Sequence, residues 1–202
     1  LKNQYYIKQY CRIRDQRILL NGQEVFSSEE ASFPAFAKAA YRFFDLSYPK
    51  YFKMDNLSKL AFLATDLLLK DQAELSNNTA LVFANTSSSL DTDLTYQKSI
   101  ENKEAYFPSP AVFVYTLPNI CLGEISIKYK LYTENSFFVL ETFQASFFKE
   151  YAGILLKNGK AEEVLCGWVE LMGDKVDAFV YQISSQGPML HTEENVKKIY
   201  QN

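Results

Sequence analysis

Two short apolar runs, TALVFA at 79–84 and FFVLET at 137–142, bracket a long helix-type stretch, and this arrangement constrains the fold more than any other feature. Each run is too short for a helix and lies between polar flanks, as expected of a strand buried in a sheet. Strand-type and helix-type segments alternate on both sides of the pair. Residues 4–13 are rich in Tyr and Ile and read as a first strand, followed by an Asn21-Gly22 turn. Ser32 can cap a helix over 34–45 with Pro34 in its first turn, and Asp55 can cap another over 56–70. A short helix is expected at 91–101 and a long helical pattern at 110–129, bent or restarted at Pro118. Residues 145–157 form a helix that ends at Asn158-Gly159, and 162–171 and 176–183 are strands with Asp174 in the turn between them. The expected architecture is an α/β layered domain: a mixed five-stranded sheet covered by helices, with no domain boundary before residue 185. Residues 186–202 read as a polar C-terminal tail with a short helix at 192–201.

Composition excludes several classes of function. A formal net charge of −3 and 48% hydrophobic residues give neither a basic field for nucleic acid nor a disordered chain. Cys11, Cys121 and Cys166 are odd in number, far apart and free of CxxC spacing, so they read as buried thiols in a reducing compartment. With a single histidine, His191, a His/Cys zinc site is not expected, and no metal or cofactor motif is present. No apolar run reaches membrane-spanning length, and the first residues lack the apolar core of a signal peptide. Because the chain starts at Leu1, loss of an upstream piece stays open. A cytoplasmic location is the expectation.

Three groups of residues carry a resemblance. Met54-Asp55 opens a helix. Pro110, Phe113, Leu117, Pro118, Asn119, Gly123, Ile125 and Ser126 lie in order within the helical stretch, and Gly159, Ala161, Gly167 and Glu170 follow the 145–157 helix. Together, over about residues 50–171, they resemble the N-terminal half of a β-ketoacyl-[acyl carrier protein] synthase, of thiolase-like fold. Residues 1–49 match poorly. The resemblance implies an α-β-α layered half of such an enzyme spanning residues 1–185.

The family's spacing then serves as a ruler. Its nucleophilic Cys lies 17 residues before the Gly equivalent to Gly159, which falls on Thr142 here. A Gly-Pro pair nine residues earlier falls on Thr133, and the local sequence is Glu141-Thr142-Phe143-Gln144. A condensing enzyme holds its acyl chain on a thiolate. A hydroxyl needs a base set against it, and Glu141, in a strand, would point to the opposite face from Thr142. Cys121 and Cys166 fall in a helix and a strand, where core packing is the simpler reading. His191 matches neither catalytic histidine of the family and reads as a tail residue. Trp168 stands where the family often has Gly, which fits either a cleft filled by a side chain or ordinary core. Ser87-Ser88-Ser89 lacks a phosphate loop's glycines and reads as a solvated turn, and Glu193–Lys198 as a solvated helix face.

The resemblance implies a catalytically degenerate synthase-like protein acting as a partner in fatty acid, polyene or polyketide assembly. Two alternatives remain open. One is a subunit of a split acyltransferase whose histidine-bearing half is a separate chain, and the other is a structural domain with no acyl ligand. In the family the strand before the nucleophile pairs across a two-fold axis. Here it is Phe137, Phe138, Val139, Leu140 and Glu141, with neither Pro nor Lys to protect an edge. The expected partner is a second copy or a full-length β-ketoacyl synthase, with acyl carrier protein as a further candidate and nucleic acid excluded.

Overall fold

The computed structural model describes residues 4–30, 32–70, 72 and 75–202. The strands are β1 (Tyr6–Arg14), β2 (Arg17–Leu20), β3 (Gln23–Ser27), β4 (Thr79–Asn85), β5 (Asn135–Val139), β6 (Glu163–Met172), β7 (Lys175–Ser184) and β8 (Met189–Leu190). The helices are α1 (Phe33–Phe43), α2 (Asn56–Leu69), α3 (Leu90–Glu101), α4 (Pro110–Val114), α5 (Ile120–Tyr129), α6 (Ala145–Lys157) and α7 (Glu193–Gln201).

One mixed sheet runs in the order β3-β2-β1-β7-β6-β4-β5, with β8 against the free end of β1. β4 is parallel to both β5 and β6, and the remaining pairs are antiparallel. TALVFA is β4, buried at every position, as its unbroken apolar run requires. The sheet has eight strands rather than five. The additional strands are β2, β3 and β8; the first two are short and mixed in polarity, and β8 is only two residues long, too short to carry a strand pattern. The first two form because Asn21 and Gly22 both take positive φ, 50° and 82°, the backbone that a tight hairpin turn demands.

Helices cover both faces. α1, α2 and α5 pack on one face, where α2 is buried from Leu57 through Leu69 except at Lys59. α6 and α7 pack on the other, where Phe148, Val196 and Ile199 join Phe179, Tyr181 and Ile183 of β7 in one core. This is the α-β-α layering expected from the sequence. Asp55 caps α2 as expected, accepting from the Ser58 amide at 2.9 Å and from the Thr92 hydroxyl at 2.7 Å. Pro118 divides the 110–129 stretch into α4 and α5. Gly167 lies opposite Phe83 in the β4–β6 pairing, and a Cβ there would stand 2.6 Å from the Phe83 ring.

Two readings are corrected. FFVLET is not strand throughout: β5 ends at Val139, so Leu140 leaves the ladder and Glu141 and Thr142 lie in a bend. Residues 186–202 are polar yet packed. Met189 and Leu190 pair with Ile7 and Tyr6, and Val196 and Ile199 are buried. Sequence reading missed this because the inward-facing residues of α7, Val196, Ile199 and the partly buried Tyr200, are few among charged and amide side chains.

Candidate functional site

The C-terminal ends of the parallel strands β4, β5 and β6 lie at one edge of the sheet, where open α/β sheets place their sites. Two loops meet there. The first, residues 86–89, follows β4, and the second, 140–144, joins β5 to α6. The Thr86 hydroxyl donates to the Glu141 carbonyl at 3.1 Å, and the Leu140 amide donates to the Asn85 carbonyl at 2.9 Å, so the loops are tied together.

Ser87–Ser89 is not a solvated turn. Glu170, 1% exposed at the end of β6, accepts from the Thr86 amide at 2.8 Å, the Ser87 amide at 3.1 Å and the Ser87 hydroxyl. Asn85 brackets Ser88, donating to its carbonyl and accepting from its amide, both at 2.8 Å, and holds it at a φ of 51°. The buried Ser89 hydroxyl donates to the Thr116 carbonyl at 2.7 Å. A buried carboxylate without such donors would be strongly disfavoured. The loop and Glu170 therefore hold each other in place. Glu170 is legible in the sequence only through the resemblance, and its partner loop not at all, because that pairing spans 84 positions.

Glu141 and Thr142 are both exposed, four and three residues ahead of Ala145, the first residue of α6. Among the described residues neither side chain makes a hydrogen bond. Thr142 precedes the cap of α6, Gln144, by two positions, outside the first turn where the helix field acts. Thr133, at the second ruler point, donates its hydroxyl to the Thr79 carbonyl at 2.6 Å, a strand-edge contact.

The residue after Thr142 points inward. Phe143 stacks on Tyr200 with ring centroids 3.9 Å apart and meets Trp168, Phe148 and Phe179 within 6.0 Å. Trp168, 4% exposed, fills the space beneath this loop with indole. Two open grooves occur elsewhere, about 1050 Å³ along Arg14–Arg17 and Asp174–Asp177, and about 700 Å³ near Tyr5 and Ser184; neither is lined by Glu141 or Thr142.

The other sequence candidates are structural. Cys11, Cys121 and Cys166 are buried and their thiols are raised by burial, Cys166 to about 12, so none offers a thiolate. No group of three His, Cys, Asp or Glu side chains suited to a metal occurs among the described residues. No helix among them is long and apolar enough to cross a membrane.

His191 lies within the packed C-terminal segment rather than in a loose tail. Its Nε2 is 3.4 Å from the Tyr181 hydroxyl, and its pKa is lowered to about 4, first by burial and then by Lys149. The unfolded chain takes up this proton near pH 6.5, before the folded one. The His191 contribution to stability is therefore complete above that pH and is lost as pH falls from 6.5 toward 4. Allowing for partial solvent screening, about 1–2 kcal/mol is expected over that window. Urea titrations at pH 7 and pH 4.5 should show this loss in wild type and a smaller one in His191→Gln. Equal losses would remove His191 as the cause.

No protein-family model matches the chain, and no curated protein does either. Solved structures do match. One chain of the ishigamide ketosynthase/chain length factor is similar at a TM-score of 0.65 and 15% identity over 90% of this chain. A β-ketoacyl synthase from Burkholderia phymatum STM815 is similar at 0.60 and 12% identity over 98% of the chain. This chain spans 62% and 61% of those two. A chain from a ketosynthase (ApeO) in complex with its chain length factor (ApeC) from Xenorhabdus doucetiae matches at 0.60 and 13% identity, covering 99% of this chain and 91% of that one. At these identities the likeness establishes the fold, which is the thiolase-like fold of ketosynthases and chain length factors.

Proposed function

We propose that this chain is a non-catalytic, ketosynthase-like partner subunit that works beside an active ketosynthase in fatty acid, polyene or polyketide assembly. What carries the proposal is the setting of the residue that the resemblance aligns with the nucleophile. That residue is Thr142, an exposed hydroxyl with no hydrogen-bonded base, ahead of the helix cap, over a space packed with Phe143 and Trp168. A hydroxyl in that setting stays protonated and has no pocket in which to hold an acyl chain. The short Xenorhabdus chain supports the reading, since a chain of nearly this extent occurs in a ketosynthase and chain length factor complex.

The surface supports docking at β5. That strand ends the sheet, and its neighbour β4 lies on one side only. Val139 is 57% exposed at this edge. Alternate residues face opposite sides of a strand, so Val139 shares the face of Phe137, on the α5 side. α4 buries none of its residues, although PAVFV is apolar throughout, and Phe107, Phe113, Val114 and Leu117 are each at least half exposed. An open strand edge and an exposed apolar ledge are each surfaces that a protein partner covers.

The split-acyltransferase alternative has an observation against it. A histidine-bearing half would need apolar surface to bury, whereas Lys149, Glu150 and Lys157 are exposed on α6 and Ile154 is its one exposed large apolar residue. Incubation with acyl-loaded acyl carrier protein followed by intact-mass measurement tests the non-catalytic reading directly. No covalent adduct is expected, and an acyl group mapped to Thr142 would refute the reading.

A further inference from the structure

We propose that residues 186–202 form a built-in cover, a strand and a helix that close the β1–β7 side of one sheet face and open as a unit apart from the β4 core. The inference stands on the contacts of this segment alone and does not need the partner reading. α6 is a single helix and cannot span the sheet, leaving the same face of β1 and β7 bare. The chain leaves β7, turns at Gly187 and lays β8 beside β1, where Ile7 pairs with Met189 and the His191 amide donates to the Tyr5 carbonyl at 2.9 Å. The turn is close-fitting, since a Cβ on Gly187 would stand 2.6 Å from the Ile7 carbonyl oxygen. Thr192 then caps α7, which crosses back to α6 and buries Val196 and Ile199.

The last turn is anchored most firmly. Tyr200 stacks on Phe143, its hydroxyl donates to Asp177 at 2.6 Å, and the Arg14 guanidinium lies 4.8 Å from its ring centre. Arg12 donates to the Tyr200 carbonyl at 3.3 Å. A single residue thus joins α7, the β5–α6 loop and the strands β1 and β7. The outer surface of this layer is polar, with Glu193 and Lys197 paired at 2.5 Å on α7 and Lys149 and Glu150 exposed on α6. The outer surface of the cover is therefore largely polar, interrupted by the exposed Ile154 of α6 and Leu190 of β8.

The test uses the full chain carrying Ile199→Asp with Tyr200→Ala, read by hydrogen exchange and by binding of the apolar dye ANS. Amides of 6–14, 145–157 and 178–184 should exchange at least about tenfold faster while 79–85 stays protected, because opening is local. ANS fluorescence should rise at least about fivefold as apolar surface appears. Unchanged exchange and dye binding would overturn the proposal. So would loss of protection at 79–85 as well, which would make the segment part of one indivisible core. Exchange of 193–201 within seconds in wild type would also overturn it.

Discussion

Replacing Glu170 with Ala should cost about 3–5 kcal/mol, a large share of the stability of a domain this size. Two backbone amides and the Ser87 hydroxyl would lose their acceptor in a place where the carboxylate is 1% exposed. Water cannot substitute freely at a buried site. The neighbouring Lys175 ammonium, 4.0 Å from Glu170 and mostly exposed, is solvated already and adds little. The damage should spread along the loop, because Ser89 and Thr86 fasten it to the α4–α5 turn and to Glu141. Glu170→Gln keeps one acceptor oxygen and should cost about half as much. Urea unfolding at pH 7 reads both. A loss below about 1 kcal/mol for Glu170→Ala would show that the 86–89 loop does not depend on this carboxylate.

The second large effect concerns assembly. Val139→Lys should weaken association through β5 by on the order of 100-fold, equivalent to about 2.7 kcal/mol. Val139 ends the strand and is more than half exposed, so the substitution places an ammonium at the pairing edge without touching the core. Lysine on an edge strand is the usual device by which sheets refuse a neighbour. Phe137→Lys should be at least as disruptive to association but is less clean, because Phe137 packs partly on the core beneath α5. Sedimentation velocity over a concentration series separates the two, and circular dichroism checks the fold of each. A Val139→Lys protein that associates as tightly as wild type would move the interface away from β5.

Much of the architecture could be read from the chain because its core elements carry strong local patterns. β4 is apolar at nearly every position, α2 has both a cap and a continuous stripe, and α6 ends at an Asn-Gly stop. The elements that escaped have weak local patterns. β2 and β3 exist because a two-residue turn brings them together, and β8 exists because its backbone finds β1. The limit of β5 was overestimated because Leu140 is apolar for another reason: it packs with the α6–α7 core after leaving the ladder. At the candidate site, the spacing located Thr142 in the loop between β5 and α6. It did not reveal the Glu170 clamp or the stacking of Tyr200 on Phe143, since both join residues more than fifty positions apart.

Co-expression with a ketosynthase from the same source, followed by native mass spectrometry and hydrogen exchange, tests the partner reading most directly. The account predicts a one-to-one complex in which protection appears at 135–139 and across 106–117, is lost with Val139→Lys, and leaves Thr142 unmodified. A chain that remains unbound beside the ketosynthase, with those segments exchanging as they do alone, would contradict it.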